Sequence, residues 1–174
     1  MDEIRAPRGE EAEVLEAFFK RVIEDTIEKE QIELPYFLEE EVGDKMKLLR
    51  KYLAAEDEER IFLVAWYRGR IVGTVSYAPC NEAVVEILGE ELVDTGEIGT
   101  VYVDPEYQGR GLGSALFSVI CVDLIERGIE SFYLDSGYKR AQGYWTRKLG
   151  DPVRVAKDYW DKGADHMIWY KKIG

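Results

Sequence analysis

From Glu10 onward the apolar positions Val14, Leu15, Phe18, Phe19, Val22, Ile23 and Ile27 recur at spacings of three and four. That period marks a helix with one buried stripe. Before it, Ile4-Arg5-Ala6 predicts a short strand, with Pro7 and Gly9 as punctuation. Residues 32–38 contain Pro35 and predict a break that leaves Tyr36 and Phe37 exposed. A second helix is expected from about Val42 to Ala55, with Met46, Leu48, Leu49 and Leu53 on its apolar side.

The period then changes. Residues 60–67 (Ile61, Phe62, Leu63, Val64, Ala65, Trp66 at their centre) predict a strand, Arg68-Gly69-Arg70 a tight turn, and residues 71–77 its hairpin partner. Residues 79–96 form a connection longer than hairpin loops usually are, which calls for a specialised loop or a short helix of its own. Residues 97–103 predict the next strand. Residues 111–127 predict a long helix with Leu112, Leu116, Val119, Ile120 and Leu124 on one side, stopped by Gly128. A strand at 129–135, a helix at 141–149 ended by Gly150, and two last strands at 153–156 and 166–171 complete the chain. The order β-α-α-β-β-β-α-β-α-β-β describes a mixed α/β sandwich.

The length of 174 residues fits one domain, and 46% hydrophobic with 12% aromatic residues supports a packed core. A formal charge of −12 disfavours nucleic acid and anionic membrane as partners, because both require a basic face. The charge is uneven: residues 1–60 hold 19 acids and 10 bases, a balance of −9. Solvated amphipathic helices account for such an excess; so does a region that attracts a cationic substrate. Cys80 and Cys121 are too few for a disulfide framework and read as reduced residues of a cytoplasmic protein. The N-terminus lacks the basic start and apolar stretch of a signal peptide. The most apolar run, residues 115–122, is far shorter than the ~20 residues a membrane span needs.

The richest stretch is Val101-Tyr102-Val103-Asp104-Pro105-Glu106-Tyr107-Gln108-Gly109-Arg110-Gly111-Leu112-Gly113-Ser114. A strand runs into a glycine-rich turn that opens directly into a helix. Glycines at 109, 111 and 113 let backbone approach a ligand closely. The helix start offers unpaired N–H groups and the positive end of its dipole, which suit a phosphate or pyrophosphate; Arg110 adds a cation. A dinucleotide fingerprint fails, since Leu116 and Ser114 stand where its last glycine belongs, and a Walker loop fails for want of a Lys before Ser114. The alternative is a connection that merely turns a corner.

Gln108-Gly109-Arg110-Gly111-Leu112-Gly113 resembles motif A of the GNAT N-acetyltransferase superfamily, Gln/Arg-x-x-Gly-x-Gly/Ala, and residues 103–107 resemble that family's strand end and loop. The motif-level likeness covers about residues 97–150; the element order extends it over nearly the whole chain. The resemblance implies a GNAT-like mixed central sheet flanked by helices, in one domain spanning residues 1–174. It implies acetyl-CoA as co-substrate, with Gln108 to Ser114 holding the pyrophosphate mainly through backbone amides. It also implies that Val101 and Val103 pair with the pantetheine arm and the acetyl carbonyl.

Transfer to an amine requires a neutral nitrogen, a polarised thioester and a protonated leaving thiolate. Glu97, eleven residues before Gln108, stands where some family members carry their general base; the alternative is a solvated carboxylate at a strand edge. The family's acid is often a Tyr within Ala-x-x-x-Tyr-x-x-x-Gly-Phe. Here Ala141 to Gly150 is one residue longer, Trp145 takes the Tyr position counted from Ala141, and Thr146 takes it counted from Gly150. Tyr144 is the nearest phenol, ~100° away around a helix, and is the candidate acid; packing is its alternative role. Tyr138 replaces the family's Asn. The resemblance implies that Ser136, Lys139 and Arg140 lie near the path of the coenzyme arm, where Lys139 or Arg140 is the candidate partner for its 3′-phosphate; solvated surface is the alternative role of both. His166 stands alone at a strand start and reads as structural, with no metal site.

Two functions fit. One is an acetyltransferase acting on a primary amine by direct attack in a ternary complex, with Glu33, Tyr36 and Phe37 in a pocket that favours cationic small molecules. The other is a non-catalytic acyl-CoA-binding sensor or interaction module, favoured by the irregular Tyr144-Trp145 helix. The 79–96 insertion and an exposed C-terminal strand suit a homodimer.

Overall fold

A computed structural model describes residues 1–56 and 59–173. Its elements are β1 (Glu3–Arg5), α1 (Ala12–Glu30), α2 (Phe37–Leu53), β2 (Ile61–Tyr67), β3 (Arg70–Ala78), α3 (Glu82–Leu88), β4 (Glu97–Val103), α4 (Leu112–Glu126), β5 (Ser131–Ser136), α5 (Lys139–Leu149), β6 (Arg154–Asp161) and β7 (Ala164–Lys172). Single 3-10 turns occur at Gly9–Glu11, Glu90–Leu92 and Pro105–Tyr107. The strands form a mixed sheet in the order β1-β2-β3-β4-β5-β7-β6, the α/β architecture expected from the residue pattern. One helix is added to that pattern: α3 and the 3-10 turn after it fill the long 79–96 connection.

The chain divides into two compact units, Met1–Tyr77 with Thr100–Val122, and Ala78–Gly99 with Asp123–Gly174. Strand β4 supplies residues to both. In the first unit, Leu15, Phe18, Phe19, Val22 and Ile23 of α1 pack with Val42, Met46 and Leu49 of α2 and with Phe62, Val64 and Ile71 of the hairpin. Each such side chain contributes ~1.5–3 kcal/mol of transfer free energy when fully buried. Val14, on the edge of the expected stripe, is instead 51% exposed. The hairpin turns through Arg68 (φ 50°) and Gly69 (φ 72°), the left-handed pair that matches strand twist in a two-residue turn. A Cβ on Gly73 would sit 2.7 Å from Leu116 Cδ1 and 3.1 Å from the Tyr102 carbonyl oxygen, so α4 approaches β3 only because that side chain is missing.

In the second unit, β5 pairs antiparallel with β7 from Ser131–Lys172 to Ser136–Met167, and β7 pairs antiparallel with β6. Val84 of α3 packs on Tyr133 and Ile168. Strand β6 runs past its expected end at 156 to Asp161. Residues 157–161 are mostly exposed at the sheet edge, and their adjacent Tyr159 and Trp160 between charged residues show no alternation that announces them. Helix α2 starts at Phe37, well before Val42. Pro35 ends before the helix begins, and Tyr36 (φ 68°) makes the turn into it. Among the described residues no helix is long and apolar enough to cross a membrane.

Candidate active site

The glycine-rich turn lies wholly in the first unit, and hydrogen bonds hold its approach. Asp104 is fully buried. Its N–H donates to the Val72 carbonyl at 2.9 Å, its Oδ1 accepts the Glu106 N–H at 3.0 Å, and its other oxygen is paired with Arg21 of α1. The carboxylate thereby caps the 3-10 turn that redirects the chain after β4. Gln108 then folds back, donating to the Val103 carbonyl at 3.0 Å, while its Oε1 accepts Lys29 Nζ at 2.8 Å. Lys29, also bound to Asp25 at 2.6 Å, is a cation at the loop that motif reading does not find, because it comes from the end of α1.

Gly109 (φ 72°) and Gly111 (φ 82°) hold left-handed conformations that disfavour any side chain. A Cβ at either position would meet nothing within 4 Å, so the backbone there faces open space. Ala115 makes the first intrahelical bond, to Gly111 at 3.0 Å. By helix geometry, the N–H groups of the turn before it aim out of the N-terminal end of α4. Arg110 lies over the Tyr107 ring at 5.5 Å, and Tyr107 meets Tyr67 edge-on at 5.6 Å. These residues, with Val72 and Leu112, line a cavity of about 320 Å³. The arrangement fits a polyanion such as the pyrophosphate of acetyl-CoA: outward amides, a positive helix end and an adjacent guanidinium. Val101 and Val103 lie half-buried on β4 just before the turn. Thr100 has φ 53°, an uncommon and strained conformation for a β-branched residue. Thr74 Oγ1 holds its carbonyl at 2.8 Å, and the distorted backbone breaks the regular course of β4 just before Val101.

Glu97 opens β4 in the second unit and is not a solvated edge carboxylate: its residue exposure is 9%. The Asn81 backbone N–H donates to Oε2 at 3.0 Å, and the Asn81 side-chain amide lies 3.0 Å from both carboxylate oxygens. The same amide donates to Asp135 Oδ2 at 3.0 Å, which also meets His166 Nε2 at 2.7 Å. Trp160 Nε1 donates to His166 Nδ1 at 3.0 Å. His166, which the sequence leaves solitary, is therefore one member of a polar array. An indole N–H only donates, so Nδ1 accepts and a neutral His166 carries its proton on Nε2, toward Asp135. Burial, reinforced by Glu97, Asp135 and Asp94, pushes the neighbouring Cys80 thiol up to about 12, which removes it as a nucleophile near neutrality. Among the described residues no group of three or more His, Cys, Asp or Glu is arranged to hold a metal ion.

Tyr144 is half-buried on α5 and meets Trp145 edge-on at 4.8 Å. Trp145, in the position expected for the phenol, is buried. Beside it Gln142 donates to the Ser136 and Asp165 carbonyls, both at 2.9 Å. Lys139 is exposed at the first residue of α5.

Residues 24–151 match the model of the acetyltransferase (GNAT) family. Mycothiol acetyltransferase of Cellulomonas flavigena is 34% identical over 99 residues, a match covering 56% of this chain and only 28% of that protein. The [ribosomal protein bS18]-alanine N-acetyltransferase of Haemophilus influenzae is 24% identical over 115 residues, covering 62% of this chain and 79% of that one. Among solved structures, the PaiA N-acetyltransferase of Thermoplasma acidophilum, in complex with coenzyme A, aligns with a TM-score of 0.70 at 20% identity over 98% of both chains. With more than half its length matched by the family model, this chain belongs to the GNAT family of acetyltransferases.

Proposed function

We propose that residues 1–174 act as one acetyltransferase domain that moves acetyl from acetyl-CoA to the primary amine of a cationic small molecule, by direct attack with both substrates bound. The observation that carries this reading is the turn at residues 108–114, where left-handed Gly109 and Gly111 face open space at the start of α4. The relative solved with coenzyme A supports the same ligand.

Acetyl-CoA supplies an activated thioester, so that a C–N bond forms as the C–S bond breaks. The chain's residues do the rest. The amides of Gln108, Gly109, Arg110, Gly111, Leu112, Gly113 and Ser114 bind pyrophosphate, and Arg110 neutralises part of its charge. The backbone of Val101 and Val103 orients the pantetheine arm, and Lys139 pairs with the 3′-phosphate. Glu97 takes the proton that the amine loses, directly or through water. The Tyr144 hydroxyl donates a proton to the departing thiolate. Glu97 is the first residue of β4, and the turn follows its last residue, Val103, in the chain.

The charge of residues 1–60 supports a cationic acceptor, as do exposed Glu33 and Tyr36 beside half-buried Phe37 at the entrance to α2. The test pairs calorimetric binding of acetyl-CoA with CoA release in the presence of spermidine, an aminoglycoside, free amino acids and lysine peptides. The reading predicts binding plus turnover with at least one polycationic amine. Binding without turnover on any of them contradicts it.

A further inference from the structure

We propose that Asn81 is a positioning residue for Glu97, holding the carboxylate in one orientation, with Asp135 and His166 locking Asn81 in turn. The inference rests on the reading of Glu97 as the base. Every hydrogen-bonding group of the Asn81 side chain is committed. Its Oδ1 accepts the Val84 N–H at 3.1 Å, and its Nδ2 faces Glu97 on one side and Asp135 on the other, at 3.0 Å each. A primary amide has two hydrogens and one acceptor oxygen. Turning this one over would set Oδ1 against two carboxylates and put the NH₂ group against an N–H donor, so a single orientation is allowed.

Asp135 is fixed from its far side. Its Oδ2 takes the His166 Nε2–H at 2.7 Å, and the His166 ring is held by Trp160. Donation runs from Trp160 to His166 to Asp135, and separately from Asn81 to both carboxylates. The amide nitrogen has no free lone pair with which to accept a proton, so the array braces Glu97 and does not conduct its proton toward His166. Asn81 replaces water that burial removes from the carboxylate.

Asn81 also caps α3, and a capping role alone must be separated from positioning. Asn81→Asp keeps the acceptor for the Val84 N–H, since Asp caps as well as Asn, but replaces the NH₂ donor with an oxygen facing two carboxylates. Positioning predicts that kcat with the best amine of the panel falls on the order of 10²-fold, with KM for acetyl-CoA close to the parent in the folded variant. Asn81→Ser, which caps without an amide, carries the same prediction should the aspartate variant not fold. Wild-type kcat in either folded variant overturns the inference. Glu97→Gln run in parallel separates the two claims: its retaining wild-type kcat overturns the base itself, whereas its losing kcat while Asn81→Asp keeps it overturns positioning alone. A readout without turnover uses the free protein, whose single histidine makes ¹⁵N-histidine NMR unambiguous. The brace predicts neutral His166 protonated on Nε2; a proton on Nδ1 in the neutral ring overturns it.

Discussion

The Asn81 side-chain amide lies 3.0 Å from both oxygens of the Glu97 carboxylate, and the Asn81 backbone N–H donates to one of them at the same distance. A carboxylate buried at the start of a strand normally costs free energy, and these donors offset much of that cost. The pair thus gives the Glu97 carboxylate a defined direction, which its proposed role as general base requires.

Replacing Glu97 by Gln keeps the size of the side chain and removes its capacity to accept a proton. The variant is expected to lose about 10²–10⁴-fold in kcat while binding acetyl-CoA as the parent does. Steady-state kinetics with an accepted amine, alongside calorimetry with acetyl-CoA, checks both halves.

Gly111→Ala places a side chain at φ 82°, a conformation that costs a residue with a Cβ about 1 kcal/mol or more. If the turn relaxes to escape that strain, its amides leave their outward aim. The Kd for acetyl-CoA is expected to rise several-fold by calorimetry, with Tm lowered by roughly 2–4 °C through the backbone strain alone, since no described atom lies within 4 Å of the added Cβ.

Gly73→Ala tests packing instead. Its Cβ meets Leu116 Cδ1 at 2.7 Å and the Tyr102 carbonyl at 3.1 Å; the first neighbour can yield, but the second is backbone. A cost of about 1–3 kcal/mol is expected, read as a Tm lowered by roughly 2–10 °C at this chain length.

The Cys80 thiol offers a pH test. Burial, then Glu97 and Asp135, pushes its pKa up to about 12, so at pH 8 roughly one molecule in ten thousand carries a thiolate there. Alkylation of Cys80, followed by mass spectrometry, is expected to be slow at pH 8 and to accelerate as pH rises toward 12. In Glu97→Gln one of the raising charges is gone, and the same curve is expected to move toward lower pH without reaching that of an exposed thiol, because burial remains.

Much of the architecture is legible along the chain because its signals are local. Residues 97–103 are rich in β-branched and aromatic side chains and lead to a glycine-rich turn, and the structure has β4 over that same span. Arg68-Gly69 announces the hairpin, and the length of the 79–96 connection announces a further element, which is α3. Periodicity fails where exposure is decided by a neighbour: Val14 shares the spacing of the α1 stripe yet points outward, and Val119 on α4 is 39% exposed. It fails again at β6, where an edge strand has no face that must be apolar. The polar array was illegible for a different reason. Asn81 and Asp135 are 54 residues apart and Asp135 and His166 are 31 apart; only strand pairing and the α3 cap bring them together. Trp145 in place of the family's phenol is visible in the sequence, and its burial explains why that position serves packing here.

The most direct test of the account incubates the protein with acetyl-CoA and spermidine and follows, by mass spectrometry, both free CoA and acetylated amine. The account predicts the two products in equal amounts, formed by the wild-type chain and reduced about 10²–10⁴-fold by Glu97→Gln. Equal rates in the two proteins, or bound acetyl-CoA with no acetylated amine from spermidine or any other member of the panel, would contradict it.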